Sequence, residues 1–528
     1  MLWIALHLPA LSLEAFAATL APAQAGRPAA LVEAHRVVQT NTAARALGVQ
    51  PGLKRATALA LAPDLLLGQA DAWRDTQALT AVAHAALAFT PAVAVVGQGV
   101  RLEVQASLRY FGGLEALLRR LQAALQPLGH QVQWATAPTA AGAHLLARWR
   151  ADLVQGPHST ALDPLRNLLD DAPVALLDAG REHGEALQGM GLRTLADLRA
   201  LPRAGLARRF GPALLLDLDR ARGDAPEPHE WVNLPLRFTS RVELFTRAER
   251  SDQVGSGAAI LLARLVAWAQ ARHGRIARFT LRMHHESRHR HAVDDEPAFH
   301  TDLDIALAEP AIDPQHLQQL LRERLGRLPL AAPALELSLH CDTVVPGEAP
   351  NAELFPTRAS EHAGLTRLVE RLQARLGREQ VRGLQLAQDH RPERATVSQP
   401  VDPTQLARQW AGRGGSVPTK ARPLAAKPRA DNDMVTRPVW LCPEPEPLRL
   451  QAQRPCLDGR PLQLLAGPER IESGWWDGAL AARDYYVAQA GDDALVWVYR
   501  SRLPVAADAV PDGAIDGASG WFLHGRFA

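Results

Sequence analysis

Asn41-Thr-Ala-Ala-Arg-Ala-Leu-Gly-Val-Gln-Pro-Gly-Leu53, followed by Ala56, Ala58 and Pro63, is the stretch on which the fold of this chain turns. Its first half predicts a short helix over 40–47. Outward from it, short apolar runs alternate with Ala/Leu-rich stretches. Strands are expected at 3–8, 29–33, 92–96, 100–105 and 131–135, and further helices at 72–88, 113–127 and 140–150. That alternation marks residues 1–170 as an α/β domain.

Residues 171–228 read as short helices with Gly turns. In Ala186-Leu-Gln-Gly-Met-Gly-Leu-Arg-Thr-Leu-Ala-Asp-Leu198, a Gly-x-Gly turn joins two helices, with Leu187, Leu192, Leu195 and Leu198 at core spacing. This is either a helix-hairpin-helix or an ordinary helical turn. A hairpin of that kind offers backbone N–H groups to a DNA phosphate without reading bases, placing Gly189, Gly191, Arg193 and Thr194 at the contact. Residues 229–345 run strand, helix, strand, strand, helix, strand, a small α+β domain. Residues 346–436 hold an amphipathic helix (Leu365, Leu368, Leu372, Leu376) and then a basic, Pro/Gly-rich linker over 408–429. Aromatic residues return over 437–528, which predicts a small β-rich module.

The chain has 528 residues, enough for several domains, and 47% hydrophobic content, which suits real cores. Its 58 Lys and Arg against 56 Asp and Glu exclude a polycation, so any nucleic-acid surface must come from local clustering. Cys341, Cys442 and Cys456 form no CxxC pair, which excludes a disulfide framework and a zinc ribbon and suits a reducing cytoplasm. The apolar start lacks a basic n-region and contains Pro9 and Glu14, so it reads as a buried strand and helix rather than a leader. No membrane span is expected. Walker A, Ser/His/Asp and HExxH motifs are missing from the sequence.

The block around Asn41–Leu53 resembles the fingers of Y-family DNA polymerases, where Ala-Arg-x-x-Gly-Val-x-x-Gly-Leu precedes a helix. The order of segments over 1–345 is similar to palm and fingers, helical thumb and little finger. Leu102-Glu-Val-Gln-Ala-Ser-Leu-Arg-Tyr-Phe-Gly-Gly113, Asp389-His-Arg-Pro-Glu393, Gly467-Pro-Glu-Arg-Ile-Glu-Ser-Gly-Trp-Trp-Asp-Gly478, Arg483-Asp-Tyr-Tyr486 and Trp521-Phe-Leu-His-Gly-Arg-Phe-Ala528 narrow it. They resemble ImuB-type proteins, the polymerase-like subunits of a bacterial mutagenesis cassette.

Such polymerases hold two Mg²⁺ ions with one Asp from the first strand and an Asp-Glu pair from a later one. Here the resemblance puts His7 at the first position and Val104 and Gln105 at the others, with Glu103 one residue out of register. A valine cannot ligate Mg²⁺, and a histidine is a poor ligand for so hard a cation. The resemblance therefore implies no metal and no cofactor, Mg²⁺ entering only if the chain is an active, divergent polymerase. Arg45 matches an arginine that contacts the incoming triphosphate; its alternative is a surface salt bridge. Asp302 with Asp304, Asp217 with Asp219, and the run His284, His285, His289 and His291 are weaker metal candidates.

In Gly347-Glu-Ala-Pro-Asn-Ala-Glu-Leu-Phe-Pro356, the residues Asn351, Leu354 and Phe355 resemble a sliding-clamp-binding peptide; an ordinary loop anchor is the alternative. A weaker clamp candidate is Gln405-Leu406. The resemblance implies primer-template DNA, the sliding clamp, an error-prone replicative-type polymerase and a RecA-like accessory protein as partners. Three functions stay open: a noncatalytic DNA-binding adaptor, an active translesion polymerase, and a protein scaffold without a DNA role.

Overall fold

The first strand is apolar at successive positions because both of its faces are covered. In this computed structural model, residues 1–151, 153–285, 300–330, 332–347, 358–405 (backbone only to 363), 437–438, 440–491, 493–503 and 520–527 are described. Two compact units are present, Met1–Arg375 and Leu376–Ala528. The first unit opens with β1 (Trp3–His7), α1 (Leu11–Ala17), β2 (Ala29–Glu33), β3 (Arg36–Thr40), α2 (Thr42–Ala46), α3 (Arg55–Leu61), β4 (Leu66–Gln69) and α4 (Ala72–Leu87). It continues with β5 (Val93–Val96), β6 (Gly99–Glu103), α5 (Leu108–Phe111), α6 (Leu114–Leu125), β7 (Gln133–Ala137) and α7 (Ala140–Trp149).

These strands form an antiparallel sheet, β5-β6-β1-β7, and a smaller one, β3-β2-β4. Ile4, Leu6 and Leu8 pack with residues of α4 and α6, while Trp3 and Ala5 join the core built on α7 and the helices after it. A strand buried on both sides reads as a continuous apolar run. Sequence patterning places no strand at β3 or β4. Thr40, expected inside a helix, ends β3, and Asn41 caps α2 instead. Its side chain accepts from Ala44 N at 2.8 Å and Ala29 N at 3.0 Å and donates to Arg27 O at 2.7 Å. Asparagine is among the best residues for that position.

Next come α8 (Pro157–Thr160), α9 (Leu162–Asp170), α10 (Asp178–Glu182), α11 (Gly184–Gly189), α12 (Leu195–Ala200), α13 (Arg203–Phe210) and α14 (Pro212–Arg222). The chain then returns along β5: Val232 N donates to Val93 O at 2.8 Å, and Trp231 stacks on Trp3. A second layer follows, with β8 (Phe238–Ala248), α15 (Ser251–Ala271), β9 (Gly274–His285), β10 (His300–Ala311), α16 (Pro314–Gly326) and β11 (Ala334–Pro346). Its antiparallel order is β10-β9-β11-β8. Helix α15 is long and apolar enough to cross a membrane. Instead it packs against its own sheet and α4, with Ala267 in the core of the first sheet and Trp268 Nε1 donating to Pro235 O at 3.0 Å. Cover on opposite sides accounts for its apolar circumference.

Helix α17 (Arg358–Leu376) departs from its pattern. Leu365, Leu368, Leu372 and Leu376 are exposed, whereas Thr366, Val369, Glu370 and Ala374 are buried. The buried face is set by Glu370, which bonds His316 Nε2 at 3.1 Å and also accepts from Ala308 N.

The second unit contains β12 (Arg382–Leu386), β13 (Thr396–Pro400), β14 (Trp440–Pro447), β15 (Arg449–Gln451), β16 (Arg454–Leu457), β17 (Arg460–Pro461), β18 (Gln463–Ser473), β19 (Ala481–Gln489), β20 (Leu495–Ser501) and β21 (Trp521–Arg526). Its main sheet runs β14-β21-β20-β19-β18. Tyr485 stacks on Trp497 at 4.0 Å in its core and bonds His524 Nδ1 at 2.7 Å. The β12–β13 ribbon, which reads as part of a transitional segment, folds with this module through Arg391.

Candidate functional site

The end of β1 is where the resemblance expects His7, Val104 and Gln105 to converge. His7 is there, paired across the sheet with Gly99, and Leu8 N donates to Gln98 O at 3.0 Å. Val104 and Gln105 are not. Val104 N donates to Leu2 O at 2.9 Å, its side chain is fully buried, and Gln105 opens a 3-10 turn beyond it. The antiparallel register puts them at the other end of β6, so His7, Val104 and Gln105 do not form one site. Glu103 lies with them: its Oε1 accepts from Leu2 N at 3.2 Å and Gln105 N at 3.1 Å. The residues beside His7 are Gln98 and Gly99. The missed signal is the hairpin Val96-Gly97-Gln98-Gly99, whose two-residue loop with left-handed Gly97 (φ 55°) fixes the register of β6.

Gly99 is closely surrounded. A Cβ there would lie 2.7 Å from Leu6 O and 3.1 Å from His144 Cε1. His144, on α7, is buried, and its ring meets that of His7 edge-on at 6.3 Å. Burial first, then the charges of Arg101 and Arg148, hold the His144 pKa well below the ordinary imidazole range. Burial and Arg148 also lower that of His7, against an opposing pull from the Gln98 carbonyl. Neutral imidazoles, an amide and a glycine do not fit Mg²⁺, which takes carboxylate and water oxygens. Among the described residues there is no group of three or more His, Cys, Asp or Glu placed to hold a metal.

A polar cleft of about 270 Å³ opens beside His144, lined also by Arg101, Arg148, Asp178, Asp217 and Glu227. Glu227 forms an ion pair with Arg101, and both side chains are nearly buried. Its second oxygen accepts from Ala141 N at 2.9 Å, in the first turn of α7. A helix N-terminus favours an anion, and here a carboxylate of the same chain supplies it.

The remaining candidates separate. Arg45 is exposed and makes no ion pair among the described residues, so the salt-bridge alternative finds no support there. The helical hairpin exists: α11 and α12 flank a turn with left-handed Gly191 (φ 77°), while Gly189 ends α11. Its amides are largely committed, however. Gly191 N donates to Gln188 O and Leu192 N to Leu187 O. Asp197 Oδ2 accepts from Arg193 N at 2.9 Å and Thr194 N at 2.8 Å, while Thr194 Oγ1 caps α12. A phosphate at Arg193 and Thr194 would compete with that carboxylate.

Asp302 pairs with Arg282, and Asp304 accepts from Thr280 with Arg278 nearby. Asp219 is held by Arg203, and Asp217 lies in the polar cleft. His284 meets Ser338 and His285 meets Thr301. Of these residues only Asp217 lies near the end of β1, through the cleft it shares with His144. Asn351, Leu354, Phe355, Leu406, His289, His291 and the basic stretch 408–429 lie outside the described residues. Of the C-terminal aromatics, Tyr485, Trp497 and Tyr499 are core, whereas Trp440, Trp475 and Trp476 are exposed.

No family model matches the chain. Among solved structures, a ternary complex of Dbh is 17% identical, covering 65% of this chain and 100% of that one with a TM-score of 0.37. DinB from Sulfolobus solfataricus is likewise 17% identical, over 66% of this chain and 100% of that one, with a TM-score of 0.36. Protein ImuB from two strains of Caulobacter vibrioides is 30% identical over 494 residues, 91% of this chain and 100% of the relative. The chain thus belongs to the ImuB family.

Proposed function

We propose that this chain is a noncatalytic polymerase-like adaptor in DNA damage tolerance and induced mutagenesis. It binds primer-template DNA and the sliding clamp, and brings an error-prone replicative-type polymerase to lesions together with a RecA-like accessory protein. The observation that carries this reading is the end of β1, where His7 faces Gln98 and Gly99 rather than carboxylates. The degenerate metal positions are His7, Gln98 and Gly99. Glu103, the one acid that kept an active polymerase in play, is bonded to backbone amides at the far end of the strand.

Contacts to DNA are assigned to Arg45 and to the hairpin at Gly189, Gly191, Arg193 and Thr194, with Arg193 contributing charge and the amides contributing less than the motif implies. Asn351, Leu354 and Phe355 are assigned to the clamp. Purified chain with primer-template and Mg²⁺ is expected to extend no primer, while binding the DNA with an affinity that falls steeply as salt rises. Mg²⁺-dependent extension abolished by Glu103→Gln or Asp302→Asn would overturn this reading. Replacing Leu354 and Phe355 together by Ala is expected to abolish clamp binding in a pull-down at an unchanged melting temperature. A large drop in that temperature would mark them as core instead.

A further inference from the structure

The chain leaves β6 at the opposite end from His7, through a 3-10 turn at Gln105–Ser107, and enters α5. Tyr110 on α5 is 83% exposed. Among the described residues between 96 and 161, no other large apolar side chain is exposed. The ring is nevertheless held in place. It meets Phe111 edge-on at 4.9 Å, and Phe111 packs on Phe89 at 5.2 Å at the rim of the core. That contact orients the ring, while its exposure leaves a face open. The backbone behind it is fixed as well. Gly112 and Gly113 are both left-handed (φ 80° and 104°), and Gly113 N donates to Leu108 O at 2.8 Å. An aromatic ordered in advance loses little freedom when it binds.

The surroundings select the occupant. Arg109 precedes Tyr110, and the Arg120 guanidinium on α6 lies 5.7 Å from the centre of the Phe111 ring, with Arg119 beside it on the same helix. All three arginines are exposed, and none of them makes an ion pair among the described residues. Residues 104–130 set these three arginines against a single acid, Glu115. A protein hot spot places its aromatic inside a rim that excludes water, and Tyr110 has no apolar rim. Uncompensated guanidinium groups attract phosphates, whose counterions are released on contact. An open aromatic face among them stacks on a base, and only an unpaired strand offers its bases for that.

We propose that Arg109, Tyr110 and Arg120 form a binding site for single-stranded DNA, at the end of β6 away from His7. This rests on the reading of the chain as a DNA-binding adaptor and adds a single-strand contact to those at Arg45 and the hairpin. The test follows fluorescence anisotropy of labelled oligo(dT), and of a blunt duplex of equal length, with the full-length chain. Wild type is compared with Tyr110→Ala, Tyr110→Phe and Arg109→Ala/Arg120→Ala, and melting is followed in parallel. Tyr110→Ala is expected to bind oligo(dT) about tenfold more weakly, the loss of one stacked base, at an unchanged duplex affinity and melting temperature. Tyr110→Phe is expected to bind as wild type does, because stacking uses the ring and not the hydroxyl. Arg109→Ala/Arg120→Ala is expected to flatten the slope of log affinity against log salt by about 1.4, for two single-strand phosphates at about 0.7 each. That slope decides the matter if Tyr110→Ala melts early. Unaltered oligo(dT) affinity in Tyr110→Ala would overturn the site and leave the adaptor reading standing. An equal loss in Tyr110→Phe, or an equal loss for the duplex, would overturn it as a stacking site for a single strand. A wild-type chain that binds neither DNA would bring down the adaptor reading and the site with it.

Discussion

Gly99→Asp, the simplest attempt to put a carboxylate back beside His7, is expected to destabilise the chain by about 3 kcal/mol or more in a urea titration. The cause is local. Gly99 pairs with His7 on one side and Val96 on the other, so its backbone has little room to move. The first added carbon meets the Leu6 carbonyl oxygen at 2.7 Å, and the His144 ring stands next to it at 3.1 Å. A backbone oxygen cannot swing aside as the end of a flexible side chain would. Shortening the neighbour should help in part, so Gly99→Asp/His144→Ala is expected to recover about 1 kcal/mol relative to the sum of the single changes. A Gly99→Asp variant within about 1 kcal/mol of its parent would show that the site is roomy. If the loss appears as expected, the packing around Gly99, and not only the identity of the residue there, keeps a carboxylate away from His7.

The parts of the fold that were legible are those whose signal is local. The run Leu2–Leu8 announced a strand buried on both faces, and β2 matches its apolar run at 29–33. The order strand, helix, strand, strand, helix, strand read over 229–345 matches β8, α15, β9, β10, α16 and β11. The site was less legible because it depends on register, a relation between strands. Val104-Gln105 followed a plausible strand, but only the Gly97-Gln98 loop says which residue of β6 faces His7. Single buried polar groups had the same effect elsewhere. Asn41 bonds Ala29 and Ala44 and so moves a helix start, and Glu370 turns the leucine stripe of α17 outward. The hairpin at Gly189–Thr194 was visible as a shape, yet the claim of Asp197 on its amides was not, because capping-box acids and free surface acids look alike in sequence.

Glu227 carries the other large expected effect. Glu227→Ala should cost about 3 kcal/mol, because it leaves the Arg101 guanidinium nearly buried without its carboxylate. Burial already lowers the Arg101 pKa, and Glu227 is the first of the charges opposing that shift. The same change orphans Ala141 N in the first turn of α7. Arg101→Met/Glu227→Met, which removes both charges, should recover most of the loss, as buried pairs replaced by apolar groups commonly do. A loss below about 1 kcal/mol for Glu227→Ala would place the pair among solvent-screened surface contacts instead. A second readout separates stability from function. With Glu227 gone, the α7 terminus and Arg101 become an open anion site, and inorganic phosphate should raise the melting temperature of Glu227→Ala while leaving that of the parent unmoved. Equal phosphate shifts in both proteins would mean that Glu227 does not occupy the anion position. A selective shift would show that the cleft beside His144 is closed to phosphate by the chain's own carboxylate.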